Sequence, residues 1–164
     1  MSWILWLVVA AAAFAAVYAG LKGRKPFLAL VYGPVVRTPV DFETLELAKS
    51  PNQYLVCPPG LCRNATPNAE SPVFEMTPED LRARWMARIA KLPRVEQIGS
   101  DAERLQYDYE ALTPFFNFPD TVTVRFLQAG EGKSTLAIYS RSHYGYSDLG
   151  VNEKRVKDWL ERLR

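Results

Sequence analysis

Apolar residues fall into distinct patterns along the chain. From Trp3 to Gly20 they are continuous: the run WILWLVVAAAAFAAVYAG holds no charged side chain. Leu21 extends it, and Lys22, Arg24 and Lys25 close it. A spanning helix needs about 17–25 apolar residues, so this stretch sits near the lower limit. Trp3, Trp6 and Tyr18 lie towards its ends, where amphipathic rings suit a headgroup region. The expectation is a retained single-pass anchor over residues 1–21, in contact with the lipid bilayer. Val17-Tyr18-Ala19 also fits a small-residue cleavage site, but the leading Met-Ser lacks the basic residues of a signal peptide.

From Thr77 the pattern becomes periodic. Thr77-Pro78-Glu79-Asp80 has the chemistry of a helix start: a capping hydroxyl, a proline in the first turn and acids at the positive end of the dipole. Leu81, Trp85, Ile89 and Leu92 then recur at helical spacing, and Pro93 closes the run. Strands are predicted at Arg94–Ile98, Arg104–Leu112, Thr121–Leu127 and Thr135–Arg141. In the second, Leu105, Tyr107 and Tyr109 alternate with Gln106, Asp108 and Glu110. In the third, Val122, Val124 and Phe126 point inward. A final helix starts near Val151 or Asn152 and buries Val156, Trp159, Leu160 and Leu163. The order predicts an α+β fold: a transmembrane helix, then a small domain with a mostly antiparallel four-stranded sheet and two flanking helices.

Between these regions, residues 22–72 hold eight of the twelve prolines. Proline removes a donor and fixes φ, so the segment is expected to be mostly irregular and partly packed on the core domain, residues 73–164. Its short apolar runs are Phe27–Tyr32 and Leu45–Ala48. Pro58-Pro59-Gly60 is a turn that can bring Cys57 and Cys62 together. That pairing means a disulfide in an oxidising compartment and two buried thiols in a reducing one.

Composition narrows the function classes. A chain of 164 residues has room for one ordinary domain. A net charge of +2, without a basic stripe, gives no basis for a nucleic-acid partner. Two cysteines and one histidine cannot close a tetrahedral zinc site without carboxylates. No metal or cofactor is expected. Gly130-Glu-Gly-Lys133-Ser134-Thr135 evokes a phosphate loop, but Leu127 stands where its first glycine belongs and no helix follows. It reads as a hairpin turn.

The run Ser140 to Asn152 is dense in hydrogen-bonding groups. Gly145 and Gly150 allow tight backbone geometry, and Asp148 or Asn152 can cap the last helix. Arg141 can pair with Asp148 or with an anionic ligand. Either a braced turn or a polar site results. The candidate residues are Ser140, Arg141, Ser142, Tyr144, Gly145, Ser147, Asp148, Gly150, Asn152 and Arg155, with Cys57 and Cys62 as the candidate disulfide.

The stretch Tyr139-Ser-Arg-Ser-x-Tyr-Gly-x-Ser-Asp-Leu-Gly-Val-Asn152, followed by Arg155-Val156, resembles the signature of a bacterial and plant family, domain of unknown function 1499. Pro51–Cys62 and Ser71–Phe74 support the likeness, which covers roughly Asp41 to Leu163. The resemblance implies one compact domain, often membrane-associated or exported, and carries no catalytic residue. Glu153 departs from the family's usual basic residue.

Two functions are open on these residues. One is a membrane-tethered binding or accessory domain that contacts a membrane-protein complex or a small amphiphile. The other is an enzyme with a polar site at Arg141, His143 and Asp148, with Ser142 as a further candidate. Arg141, His143 and Ser147 alternate along a short segment, so not all can face one pocket if it stays extended. The side of the membrane is also open: the flanking charge favours the cytoplasm, the cysteine pair the periplasm.

Overall fold

The computed structural model describes residues 3–22, 30, 33–113 and 117–164. Arg24 and Lys25, and most of the Phe27–Tyr32 run, lie outside the described residues. The chain forms two compact units, Met1–Val36 and Arg37–Arg164.

The first unit contains helix α1, Trp3–Lys22. Trp3, Trp6 and Phe14 are exposed on it. The anchor expected here is corrected: among the described residues no helix is long and apolar enough to cross a membrane. The single-pass membrane location inferred from that stretch is corrected with it.

The second unit is built on β1 (Gln53–Cys57), β2 (Ala69–Glu70), α2 (Pro78–Arg88), β3 (Val95–Asp101), β4 (Gln106–Leu112), β5 (Pro119–Gly130), β6 (Lys133–Ser142) and α3 (Val151–Leu163). The expected four-stranded sheet is corrected to a six-stranded mixed sheet, in the order β2-β1-β6-β5-β4-β3. The two further strands come from the proline-rich segment. Pro51 and Pro58 flank β1 rather than interrupt it, so QYLVC keeps its donors for pairing. It runs antiparallel to β6, with Gln53 opposite Arg141, and parallel to β2.

Strand β5 and strand β6 form the long central hairpin, and the turn from Gly130 to Lys133 closes it. Helix α2 starts at the Thr77 cap, whose hydroxyl oxygen accepts from the Asp80 amide at 3.2 Å. It stops at Arg88, before Pro93, because the backbone tightens: the Leu92 amide donates to the Ile89 carbonyl.

Alternation along the strands gives the sheet two buried faces. Helices α2 and α3 cover the first. Trp85 of α2 is its centre, with ring centroids 5.5 Å from Trp159, 5.8 Å from Tyr109 and 5.9 Å from Phe126. Val122, Val124, Leu136 and Ile138 complete this core. The second face is covered by the chain from Arg37 to Ala65. Val40, Phe42, Leu55, Cys57, Cys62, Ala137 and Tyr139 form a second apolar cluster there. Cys57 and Cys62 are joined by a disulfide at the end of β1.

Candidate functional site

The polar run from Ser140 to Asn152 leaves β6 as extended backbone, and its residues go alternately to the two faces of the sheet. Ser140 and Ser142 face the helices. Arg141 and His143 face the other way. The run therefore builds two polar clusters on opposite sides.

The helix-side cluster is a hydrogen-bond network centred on Asn152, which is fully buried in the first turn of α3. The two hydrogens of its Nδ2 are shared among the Asp148 carboxylate (2.8 Å), the Ser142 hydroxyl (3.0 Å) and the Asn52 carbonyl (3.1 Å). Its Oδ1 accepts from Ser140 Oγ (2.5 Å) and Arg155 Nη1 (2.6 Å). Arg155 also reaches Asp120 at 2.6 Å, and both side chains are buried. Burial pushes the Asp120 carboxyl up from the usual carboxylate range, and the Arg155 guanidinium pulls against it.

Asp148 caps α3 from outside the helix: its carboxylate accepts from the amides of Gly150 (3.1 Å) and Asn152 (2.7 Å). Gly150, with φ of 78°, occupies the cap position itself, where a left-handed backbone favours glycine. Asn52 ties the turn to the start of β1 by donating to the Gly145 carbonyl at 2.7 Å. Ser147 is exposed, and its hydroxyl accepts from the Leu149 amide. Tyr144 is half-buried, its ring 6.2 Å from that of Phe118.

The opposite cluster holds Arg37, Asp108, Glu110, Thr121, Thr123, Tyr139, Arg141 and His143. Register sets it up: Thr121 of β5 lies between Glu110 of β4 and Arg141 of β6. His143 Nε2 and Thr121 Oγ1 are hydrogen-bonded at 2.6 Å. Thr123 donates to Asp108 at 2.6 Å. Arg37 pairs with Glu110 at 2.5 Å. Arg141 lies over the Tyr139 ring, 5.0 Å from its centroid. It donates to Thr123 Oγ1 and the Thr38 carbonyl, both at 3.3 Å. Among the described residues no carboxylate forms an ion pair with it.

Charge and burial act together here. Burial, then the Arg141 and Arg37 cations, push the imidazole of His143 down to about 4 against the lesser pull of Glu110. It is neutral at pH 7. Burial also lowers Arg141 from the ordinary guanidinium range.

The candidate residues thus separate. Ser140, Ser142, Asp148, Asn152 and Arg155 converge on one network, to which Gly145 contributes its carbonyl. Arg141 stands apart from Asp148, which gives its described bonds to Gly150 and Asn152. The pairing of these two does not form.

A family model matches residues 36–163. The chain belongs to the family described as Protein of unknown function (DUF1499). The match covers the whole second unit but for its last residue, and so includes both polar clusters of the DUF1499 domain. No curated protein matches the chain.

Sequence reading passed over Asn52, Asp120 and the second cluster's Arg37, Glu110, Thr121 and Thr123. Asp120 carries a legible signal: it is in phase with Val122 and Val124 on β5, a carboxylate at an inward position. Arg155 is its counterpart, one residue before the buried Val156. Glu110 is buried although it alternates with the core residues Tyr109 and Ala111. Polar alternation normally marks a solvated face; here the chain from Arg37 to Phe42 covers it.

Proposed function

We propose that the DUF1499 domain is a non-catalytic binding module that holds a small ligand by an anionic group against Arg141. One observation carries this reading: a half-buried guanidinium whose described hydrogen bonds go only to neutral oxygens, both at 3.3 Å, with the carboxylate of Asp108 reaching it only through the Thr123 hydroxyl. Desolvating a cation is costly unless a counter-charge accompanies it. Arg37 has Glu110 and Arg155 has Asp120. A carboxylate or phosphate on a ligand would supply the counter-charge for Arg141, and the planar guanidinium suits bidentate contact.

His143 is the reporter. It is the only histidine in the chain, so its ring resonances are unambiguous in a proton NMR titration. Negative charge nearby favours imidazolium. Saturating inorganic phosphate or acetate is expected to raise the His143 titration midpoint, and Arg141→Ala to abolish that response. A midpoint that neither anion moves would contradict the proposal.

A second reading, acid–base chemistry, rests on the 2.6 Å bond between His143 and Thr121. A neutral imidazole can accept a hydroxyl proton. The Thr121 hydroxyl, however, belongs to a residue only 1% exposed, which closes it to a substrate. His143→Gln separates the readings: full complementation of a deletion strain argues against catalysis at this position.

A further inference from the structure

A groove of about 450 Å³ lies on the helix side of the sheet, between α3 and the turn that enters β3. Leu92, Val95, Ala111, Leu112, Val151 and Trp159 give it apolar walls. Its size falls within the range of about 300–1,000 Å³ typical of small-molecule sites. Its lip is cationic. Arg94, Lys154 and Arg162 border it, with Asp158 as the one acid among its lining residues. Asp158 is bonded to Arg162 at 2.9 Å. Arg94 and Lys154 are exposed and, among the described residues, make no ion pair.

We infer that this groove binds a single-chain anionic amphiphile: an acyl or alkyl chain along the apolar walls, its carboxylate or phosphate head between Arg94 and Lys154. Apolar walls and cationic lining residues match the two parts of such a molecule. A peptide strand suits the groove less well. The backbone amides on its walls already have partners: that of Val95 donates to the Leu92 carbonyl at 3.2 Å and that of Leu112 to the Arg94 carbonyl at 2.9 Å. A hydrocarbon chain needs no such partners.

One backbone feature agrees with this: Arg94, which lines the groove, has φ of 66°, in the left-handed region that is unfavourable for a residue with a side chain, and such strain clusters at ligand sites. This site shares no residue with the Arg141 cluster, so the two proposals stand or fall separately.

The experiment is photoaffinity labelling of the full chain with dodecanoate carrying a terminal diazirine, below its micelle concentration, mapped by mass spectrometry. Mapping is needed because α1 also exposes apolar side chains. Label is expected in 92–95 and 151–159, competed by unmodified dodecanoate. The doubly reversed variant Arg94→Glu/Lys154→Glu is expected to label these peptides about fivefold less. Both lip residues are exposed, and circular dichroism is to check that the variant is folded. In the unaltered chain, added salt is expected to weaken groove labelling, which tests the charge argument without any substitution. Label confined to 3–17, or groove label indifferent to both charge reversal and salt, overturns the inference. So does binding to anionic phospholipid vesicles that depends on Arg94 and Lys154 when dodecanoate leaves the groove unlabelled. If a second copy of the chain fills the groove, it stays unlabelled and the reversed variant loses oligomer; that result also overturns it.

Discussion

The two polar clusters flanking the end of β6 start from the same short sequence and differ in how completely they are paired. On the helix side, Ser140, Ser142, Asp148, Asn152, Arg155 and Asp120 form one network in which the buried cation meets a buried anion at 2.6 Å, with only Asp120 Oδ1 left without a partner among its described atoms. On the other side, Arg141 has only two neutral acceptors at 3.3 Å. The first arrangement fixes α3 to the sheet. The second leaves its cation without a directly bonded carboxylate among the described residues, next to a histidine that burial and cations keep neutral. Adjacent residues of one strand thus serve opposite ends, and a motif read as a unit conceals this.

The contrast can be broken at its strongest point first. Arg155→Met removes the partner of a buried carboxylate, and such losses cost about 3–5 kcal/mol. Chemical denaturation is expected to show a drop of that order, and a change below 1 kcal/mol would mean the network is not what holds α3. Next is the cover of the second face. Cys57→Ala/Cys62→Ala removes a cross-link of sequence separation 5, with an expected loss of about 2 kcal/mol for so short a loop. Alkylation mobility with and without reductant tests whether the bond is present.

The pH dependence sharpens the comparison further. His143 titrates near 4 in the native state and near 6.5 when unfolded. Between those values the unfolded chain holds a proton that the native chain lacks. Stability attributable to this group is therefore complete above about pH 6.5 and declines as the pH falls to about 4. His143→Gln is expected to flatten that part of the stability–pH profile. The smallest stability effect belongs to Arg141→Ala. Its long hydrogen bonds contribute little and removal of a partly desolvated cation offsets their loss, so the change should stay below about 1 kcal/mol. The anion response of His143 should vanish all the same.

Much of the core was legible in the sequence. The Thr77 cap, the Trp85 stripe, the hairpin turn at Gly130–Lys133 and the last helix follow from local chemistry and spacing. Strand β1 did not, because proline density suggested irregular chain when the prolines stood only at its borders. The sheet's second cover was hidden for the same reason: nothing local says that Val40 and Phe42 cross the face carrying Gln106 and Glu110. Those contacts are long-range, as in the Gln106 amide donating to the Val40 carbonyl. Within the site, the wealth of hydrogen-bonding groups was legible and its division was not. The period of two assigns Arg141 and His143 to one face. Only the fold shows that Asp148 turns back to cap α3 on the other.

The position of β1 has a consequence for how the chain is made. This strand precedes the other five in sequence, yet its antiparallel neighbour is β6, the last of them, with Gln53 opposite Arg141. On the ribosome, β1 and the segment before it wait through the synthesis of four further strands. During that interval the apolar residues Tyr54 to Val56 have only the two-residue β2 to pair with. Pairing over such separations is slow, because loop closure precedes any gain from contact. The central hairpin is the natural nucleus and β1 the late addition, so the segment made early is among the last to be protected from amide exchange.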